Sequence, residues 1–365
     1  VHEVIRLNLG AGDKPLEGWL NLDGADGDTI FPLHDATNSV DEIRASHVLE
    51  HFGHAEVIHV LRDWVRALKP GGILRLAVPD LDAIARAYLS GADWPIQGYL
   101  MGGQVDVRDF HKSAFDEESL GEAMRAAGLV GLHRWQSEAQ DCAALPVSLN
   151  LAGYKRPESW PAVAAVMSVP RLGFMDNFFS AFEALVPLKI RLRKFSGAFW
   201  GQCLTRAIEE SLTERPDYLL AIDYDTLYRK QDIEDLLAFA IASGADAVAP
   251  VQSSRSKSSA LFLMRDGDGQ ARKRIRSDEL DPALVPVDTA HFGCTLLRAA
   301  CFEDLPRPWL WSTPAPDGTW GEGRTDDDIF FWHNWRAAGR TLFLAPRVVV
   351  GHAELMVRWP GEDMS

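Results

Sequence analysis

The sequence predicts an α/β protein of two successive domains with mostly parallel sheets. The chain has 365 residues, which is more than a single hydrophobic core usually organises. Short apolar runs typical of buried strands alternate with helical patterns, and this series occurs twice. Between the two series, Gly153, Pro157 and Pro161 interrupt any regular period. We therefore place the domains at residues 1–155 and 156–365.

The first series contains four predicted strands and two predicted helices. The strands are Val4–Leu9, Leu20–Leu22, Glu42–Ala45 and Ile73–Ala77. An apolar period of 3.6 predicts one helix over His54–Leu68 and another over about Glu117–Ala127. The stop signals that end them are Lys69-Pro70-Gly71-Gly72 and Gly128.

The second series resumes after the break with a strand and continues to the C-terminus. Its predicted strands are Ala162–Val169, Tyr218–Ile222, Ala247–Pro250 and Val348–His352. Its predicted helices are about Phe199–Leu212, Asp232–Ser243 and an apolar helix that opens at Thr325–Asp328 and runs to Gly339. A looser region is expected from Ser253 to Asp288.

Composition excludes several classes of function. A formal net charge of −15 makes nucleic acid an improbable partner, because phosphate backbones attract basic surfaces. The four cysteines are scattered without a CxxC pair, so we expect reduced thiols and a cytoplasmic protein. No stretch reaches the roughly 18 apolar residues of a membrane span, and no signal-peptide pattern opens the sequence.

A strand that runs into a glycine turn marks the first candidate site. Glycines at 10 and 12 let the backbone approach a ligand closely, and Asp23 ends the next strand, where an acid can accept both ribose hydroxyls. The acid follows sooner than in the dinucleotide fingerprint, and the third glycine is missing. The pattern therefore argues against NAD, although two glycines after a strand are often only a tight turn.

Several separate pieces, in order, resemble the class I methyltransferases of the small type-11-like group over about residues 3–140. The pieces are Leu9-Gly10-Ala11-Gly12, Gly18-Trp19-Leu20-Asn21-Leu22-Asp23, Ser46-His47-Val48-Leu49-Glu50-His51-Phe52, Leu68-Lys69-Pro70-Gly71-Gly72, Val78-Pro79-Asp80 and Asp109-Phe110-His111-Lys112. This resemblance implies a Rossmann-like domain that binds S-adenosylmethionine.

The resemblance also implies roles for individual residues. The cofactor would lie over Gly10 and Gly12, with Asp23 on its ribose, Asp35 near its adenine and the turn at His47 facing its sulfonium. An alternative for the histidines is that they are partly buried polar groups at the start of a helix; this alternative applies to His47, His51 and His54. Cofactor binding is better supported than methyl transfer, because the compact domain has little chain with which to build an acceptor pocket.

Two carboxylates one residue apart mark the second candidate site. Asp223 and Asp225 follow the apolar run Tyr218–Ile222, and strand alternation would put both side chains on one side. A hard divalent cation prefers such oxygen ligands and can bridge a diphosphate to the protein. A lone Asp-x-Asp is common in surface turns, but its place at the end of a buried-looking strand favours the metal.

Further acids and a histidine follow towards the C-terminus. Three acids, Asp326 to Asp328, open the last predicted helix, where one of them suffices to cap it. A second task is therefore indicated for Asp327 or Asp328, such as accepting the proton of an attacking hydroxyl. A strand then ends at His352, whose neutral imidazole could complete a metal site with the two earlier acids.

Together these pieces resemble a GT-A glycosyltransferase over about residues 162–355. The pieces are Met167-Ser168-Val169-Pro170-Arg171, Asp223-Tyr224-Asp225, Asp327-Asp328-Ile329-Phe330-Phe331 and Val350-Gly351-His352, in which Asp327 stands where a Glu is usual. The resemblance implies a second Rossmann-like domain, a UDP- or GDP-linked sugar donor, and Mn²⁺ or Mg²⁺ held by Asp223 and/or Asp225 with His352.

The same resemblance implies donor contacts near Pro170, Arg171 and Lys194, and a role for Asp327 or Asp328 in orienting a sugar or acting as base. The basic segment Lys189–Lys194 could face the diphosphate or could be a solvated helix face. Trp320 lies in a glycine-rich loop that suits an acceptor lid or a plain connector. The tryptophans that suit sugar platforms are Trp200, Trp309, Trp311 and Trp320, although core packing alone explains most tryptophans.

The leading hypothesis is a bifunctional enzyme that transfers a sugar and also methylates a glycan or related acceptor. Tethering the two activities would raise the local concentration of the intermediate. One alternative is an active glycosyltransferase with an inactive methyltransferase-like docking domain. Another is a non-catalytic glycan-binding scaffold, against which the set of acids and His352 argues.

Overall fold

A computed structural model describes residues 4–24, 29–170, 173–253, 261–265, 271–272, 282–321 and 323–354. Its contacts group the chain into two compact units. The N-terminal unit comprises Val1–Ser159 with Asp281–Ala283, and the C-terminal unit comprises Trp160–Leu280 with Leu284–Ser365. Among the described residues, no helix is long and apolar enough to cross a membrane.

The N-terminal unit is built on a six-stranded sheet in the order β2-β1-β3-β4-β6-β5. Its strands are β1 Arg6–Leu9, β2 Leu20–Leu22, β3 Val40–Ser46, β4 Leu68–Pro79, β5 Leu129–Arg134 and β6 Ser148–Lys155. Its helices are α1 Val57–Ala67, α2 Leu81–Ser90, α3 Ile96–Met101 and α4 Glu117–Ala126, with 3₁₀ turns at Leu49–His51 and Cys142–Ala144. The first four strands run parallel, whereas β6 is antiparallel to both β4 and β5.

Helix α1 forms on an apolar face, whereas α4 also has a side-chain cap. Val60, Leu61 and Trp64 of α1 are completely buried in the core against the sheet. Asp116 caps α4 in a reciprocal capping box with Ser119, which satisfies donors at the helix start. The predicted helix stop at Lys69–Gly72 does end α1, but the same residues already belong to β4 because Leu68 pairs with Val40.

The C-terminal unit is built on a seven-stranded sheet in the order β14-β17-β11-β16-β9-β7-β8. Its strands are β7 Val163–Val169, β8 Arg191–Ser196, β9 Tyr218–Asp223, β10 Thr226–Leu227, β11 Ala247–Val251, β12 Phe262–Arg265, β13 Ala271–Arg272, β14 Val285–Pro286, β15 Thr289–Ala290, β16 Thr295–Arg298, β17 Leu342–Val349 and β18 Gly351–His352. Its helices are α5 Met175–Leu185, α6 Trp200–Leu212, α7 Lys230–Ser243 and α8 Asp327–Ala337, with a 3₁₀ turn at Ala299–Phe302.

This second sheet is mixed rather than mostly parallel. Strand β7 runs parallel to β8 and β9, and β11 runs parallel to β17, whereas β16 is antiparallel to both of its neighbours. Two smaller sheets, β10-β18 and β13-β12-β15, complete the unit. An aromatic core lies between the sheet and α8 and contains Phe292, Phe302, Phe331, Trp332 and Trp335.

Two local predictions for this unit need correction. The segment Lys189–Lys194 is not a helix face, because Arg191–Ser196 forms the edge strand β8, where Arg191 and Arg193 pair with Glu214. Strand β9 ends at Asp223, so Asp225 lies in the following turn and strand alternation does not set its direction. A polar segment at a sheet edge shows little alternation of apolar and polar residues, so its sequence does not reveal a strand. The residue at which a strand ends depends on the strands that pair with it.

A buried ion pair ties β3 to the segment before β6 in the N-terminal unit. The guanidinium of Arg44 bonds to Asp141 and also donates to Asn8 at 3.3 Å and to Ser137 at 3.2 Å. Both charged side chains are less than one-tenth exposed. The bonds to Arg44 and Ser137 outweigh burial and hold the pKa of Asp141 below its usual range.

We predict that Asp141→Ala lowers the free energy of unfolding by about 3 kcal/mol, because it leaves the Arg44 charge buried without its counter-ion. Denaturant titration followed by circular dichroism measures this loss. The control is Asp82→Ala, which removes the exposed Arg86–Asp82 pair and should cost less than about 0.5 kcal/mol. Equal shifts for the two variants would contradict a structural role for the buried pair.

Candidate functional site

The carboxyl ends of β1 and β2 form a tight turn around an acid. Leu9 pairs with Leu22, so the loops that follow them start side by side. The amide of Gly10 donates to Leu22 O at 2.8 Å, and that of Gly12 donates to Asp23 Oδ2 at 2.5 Å. Gly10 has a φ of +65°, and a Cβ there would meet a Val48 methyl at 2.3 Å. The turn therefore requires glycine and holds Asp23 against its backbone.

His47 joins the same edge because it follows β3, which is the other neighbour of β1. Its backbone is left-handed, with a φ of +55°. Its ring lies between two elements, with Nε2 at 3.0 Å from Ser148 Oγ and Nδ1 at 3.4 Å from Glu50 Oε1. Burial, with help from the charges of nearby histidines, lowers the pKa of His47 to about 4, so the ring is neutral at pH 7.

The structure does not bring Asp35 to this group. Its carbonyl accepts from Arg66 Nη1 at 2.8 Å, and Arg66 lies in the last turn of α1. That end of α1 leads into the amino end of β4, whereas Gly10, Asp23 and His47 follow the carboxyl ends of strands. Asp35 therefore lies near the opposite edge of the parallel strands, and the structure offers no reason to place an adenine beside it.

A buried acid beside His47 was not anticipated from the sequence. Glu50 is 1% exposed, and neither of its carboxylate oxygens has a hydrogen-bond partner among the described residues. Burial raises the pKa of Glu50 to about 8. His51 and His111 both lie close to Glu50, although 60 residues separate the two histidines in sequence. The segment Asp109–Lys112 carried a family resemblance, but only the fold shows that it approaches Glu50.

In the C-terminal unit, Asp223 ends β9 at the carboxyl edge beside β7, because Ser168 pairs with Asp223. The indole of Trp200, at the start of α6, donates to Asp223 Oδ1 at 3.0 Å. Burial raises the pKa of Asp223 to about 6; the Trp200 bond opposes this shift, and the charges of Asp225 and Asp328 add to it. Trp200 thus holds this acid, which is a role the sequence did not suggest.

Asp225 and His352 meet across the short β10-β18 ribbon, in which Thr226 pairs with His352. Asp225 is 1% exposed, and its Oδ2 lies 3.4 Å from His352 Nε2. The other ring nitrogen, Nδ1, lies 2.8 Å from Ser253 O. A carbonyl only accepts, so Nδ1 carries a hydrogen, and in the neutral ring Nε2 presents its lone pair to the carboxylate.

The three predicted metal ligands are not equally close. In the part of the chain that the structure describes, the one trio whose potential ligand atoms all lie within 4.8 Å of one another is Glu50, His51 and His111. Asp223 therefore lies outside the close pair of Asp225 and His352, although the charges of both are near enough to act on the pKa of Asp223.

Asn177 of α5 fixes the turn that carries both acids. Its buried side-chain amide donates to Asp223 O at 3.1 Å and to Thr226 O at 2.6 Å. These bonds satisfy two carbonyls on either side of Asp225, so they determine the shape of the turn. Asn177 was not predicted from the sequence, and neither was helix α5, in which it lies.

The two acids of α8 point to different surroundings. Asp327 accepts from Ser312 Oγ at 2.8 Å, and a Cβ on Gly201 would lie 2.6 Å from its Oδ2, so this carboxylate packs against the first turn of α6. Asp328 is close enough to raise the pKa of Asp223. Asp326 occupies the N-cap position but makes no capping bond there; it pairs with Arg324 at 2.7 Å.

The remaining site residues were predicted to contact the sugar donor or the acceptor. Pro170 follows β7 at the carboxyl edge, next to the Ser168–Asp223 pair. Lys194 is exposed on β8 opposite Met167, further from that edge. Arg171 lies outside the described residues. Trp320 is 60% exposed, whereas Trp309 is buried and belongs to the core.

Comparison with known proteins supports a methyltransferase domain in the N-terminal unit. Residues 8–76 match the family model described as a methyltransferase domain. This segment includes the glycine turn, Asp23, His47 and Glu50. No curated protein matches the chain.

Solved structures resemble parts of the chain at low identity. A197 from STIV shares 14% identity over 55% of this chain and 99% of its own, with a TM-score of 0.36. A possible histamine N-methyltransferase from Thermotoga maritima shares 18% identity over 43% of this chain and 84% of its own, with a TM-score of 0.29. GalNAc-T7 with UDP, GalNAc and Mn²⁺ shares 11% identity over 55% of this chain and 45% of its own, with a TM-score of 0.37. All three TM-scores are below 0.5, so none of these likenesses assigns a function to the chain.

We predict that Asn177→Ala lowers the free energy of unfolding by about 1–3 kcal/mol, because two carbonyls of the acidic turn lose their buried donor. Denaturant titration measures the change. Glu183→Ala removes an exposed side chain from the same helix and should shift stability by less than about 0.5 kcal/mol. A loss for Asn177→Ala no larger than that of Glu183→Ala would show that the amide does not hold the turn.

Proposed function

We propose that the chain is a bifunctional glycan-modifying enzyme. Residues 156–365 would form a metal-dependent glycosyltransferase domain of the GT-A type, and residues 1–155 would form a methyltransferase domain that uses S-adenosylmethionine. The single observation that carries the glycosyltransferase proposal is the buried Asp225 carboxylate that faces the His352 Nε2 lone pair at 3.4 Å.

The donor set of this pair fits a divalent metal. Two groups that both present lone pairs repel each other unless a proton or a metal ion lies between them. Carboxylate oxygen and neutral imidazole are ligands that Mn²⁺ and related ions accept, and Mg²⁺ can use the carboxylate. We therefore assign Asp225 and His352 as the metal-holding residues, with Asp223 as a neighbour that contacts the nucleotide sugar or the metal. When bound, the metal neutralises charge on the departing nucleoside diphosphate.

The protein's own residues would perform the remaining tasks. Trp200 and Asn177 hold the Asp223–Asp225 turn rigid, which keeps the site in a productive shape before substrate arrives. Asp328 is the better choice of the two α8 acids for orienting a sugar or accepting the acceptor's proton, because Asp327 is engaged with Ser312 and α6.

The substrates are proposed by class only. A UDP- or GDP-linked sugar would be the donor, and a glycan or small molecule the acceptor. Contacts from Pro170, Arg171 and Lys194 to the donor, and from Trp320 to the acceptor, stay predictions. The net charge of −15 still argues against nucleic acid. The cytoplasm stays our prediction for the location, from the scattered cysteines.

The N-terminal unit fits S-adenosylmethionine at its glycine turn. Gly10 and Gly12 bring backbone to the edge of the sheet without side chains, and Asp23 stands beside them where a ribose needs an acceptor. The cofactor supplies an electrophilic methyl group when bound. His47 is neutral and lies at the same edge, so it suits a contact to the reacting groups rather than a charge beside the sulfonium.

For the glycosyltransferase, we predict slow Mn²⁺-dependent release of nucleotide from one donor in a panel of UDP- and GDP-sugars. Asp225→Asn should lower this rate at least about 100-fold, because even outer partners of a bound metal contribute 10- to 100-fold. Asp304→Asn, which alters an exposed acid of the same unit, should leave the rate unchanged. Release from no donor, together with no metal-linked nucleotide binding, would exclude the glycosyltransferase.

For the methyltransferase, we predict that S-adenosylhomocysteine raises the melting temperature. A ligand at 100 times its Kd stabilises a protein by about 2.7 kcal/mol. Asp23→Ala should abolish the rise, and Asp13→Ala, at an exposed acid of the neighbouring loop after β1, should preserve it. If nucleotide binds but S-adenosylhomocysteine does not, the N-terminal unit is an inactive docking domain. If neither ligand binds, a non-catalytic scaffold is favoured.

A further inference from the structure

A cluster of three histidines around Glu50 has a geometry that the proposed transferase activities do not explain. The Glu50 carboxylate is buried, and neither oxygen has a hydrogen-bond partner among the described residues. Its Oε1 lies 3.4 Å from His47 Nδ1 and 4.0 Å from His111 Nε2. Potential ligand atoms of Glu50, His51 and His111 all lie within 4.8 Å of one another.

Backbone carbonyls determine which nitrogen of two of these rings carries the hydrogen. His111 Nδ1 lies 3.1 Å from Tyr99 O, and His51 Nδ1 lies 3.3 Å from Phe110 O. A carbonyl accepts only, so each Nδ1 is the protonated nitrogen and each Nε2 keeps a lone pair in the neutral ring. For His111, that lone pair is on the nitrogen nearest to Glu50. Metal-binding histidines are oriented in this way in proteins.

The third ring, His47, is oriented by a chain of side chains. Asn150 Nδ2 donates to Ala143 O at 2.8 Å, so its Oδ1 is an acceptor, and the Ser148 hydroxyl donates to that oxygen at 2.8 Å. Ser148 Oγ therefore accepts from His47 Nε2 at 3.0 Å. The Nδ1 of His47 then presents its own lone pair to Glu50.

Lone pairs of His47 and His111 thus face a carboxylate for which the described residues supply no hydrogen-bond donor. An ionised carboxylate in such a place is costly, and a bound cation removes the cost. We propose that Glu50, His51 and His111 bind one divalent transition-metal ion, with His47 as a positioning residue on Glu50. Two imidazoles and one carboxylate are a ligand set that Zn²⁺ and related ions use, and three protein ligands leave a coordination position open.

The backbone holds the ligands together before any metal arrives. The amides of Lys112 and Ser113 donate to Glu50 O at 2.7 and 3.1 Å, so the segment that carries His111 is fastened to the turn that carries Glu50 and His51. The His51 and His111 rings pack edge to face with centroids 5.0 Å apart. Atoms that each lie about 2.1 Å from a zinc ion are about 3.4 Å apart at tetrahedral angles, so only small side-chain rotations are needed.

The site is chemically distinct from that of Asp225 and His352. It offers two imidazoles, which favour Zn²⁺, Co²⁺ or Fe²⁺ over Mg²⁺. The turn that carries these residues lies beside the glycine turn, since Val48, next to His47, packs on Gly10. A metal there can hold a water molecule or an oxygen or nitrogen atom of an acceptor beside the methyltransferase site.

The test uses the full chain with Asp225→Asn, which removes the metal pair of the C-terminal unit. After chelator treatment, the protein is titrated with Zn²⁺ by calorimetry and with Co²⁺ by visible absorption. We expect about one equivalent of metal to bind. Adding Glu50→Gln or His111→Ala should weaken binding at least about 10-fold, whereas His54→Ala, at an exposed histidine of the same segment, should not change it.

Two results would overturn the proposal: no stoichiometric binding, or binding that Glu50→Gln and His111→Ala leave unchanged. Either result would identify Glu50 as a neutral acid hydrogen-bonded to a histidine. Circular dichroism shows whether each variant is folded, and Glu50→Gln preserves the shape of the side chain. Binding of S-adenosylhomocysteine and release of nucleotide are measured separately, so this inference can fail while either proposed transferase activity stands.

Discussion

Parallel pairing of neighbouring strands is the constraint on which both candidate sites depend. In the N-terminal unit, β1 lies between β2 and β3, so the loops after all three strands emerge at one edge. In the C-terminal unit, β7 and β9 run parallel and place Asp223 beside the end of β7. Polar groups that are distant in sequence therefore meet where the strands end, because no further pairing covers their loops.

Both units also place an imidazole lone pair against a buried carboxylate. In one unit His352 faces Asp225, and in the other His47 and His111 face Glu50. In each case a backbone carbonyl or a hydroxyl orients the far side of the ring. A protein interior tolerates this arrangement only if a proton or a metal lies between the groups, and the same physical argument therefore underlies both of our metal proposals.

Much of the fold was predictable because its strands are apolar and its helices amphipathic. Strand Leu20–Leu22 was predicted at its observed bounds, and α1, α4, α6, α7 and most other predicted elements were found with ends shifted by a few residues. Helices α2, α3 and α5 and strands β5, β6 and β8 were missed, since short or polar segments carry little periodic signal. Strand β16 was missed as well, and its antiparallel pairing with β11 and β9 is what makes the second sheet mixed.

The sequence by itself determined the two α/β series, the glycine turn with Asp23, and the acids Asp223 and Asp225. These depend on local chemistry: periodicity, glycine at left-handed turns, and carboxylates at strand ends. Only the tertiary structure decided which groups meet. It joined Trp200 and Asn177 to the acidic turn, separated Asp35 from the glycine turn, and brought His111 to Glu50. Such contacts depend on how distant segments pack, which no local pattern records.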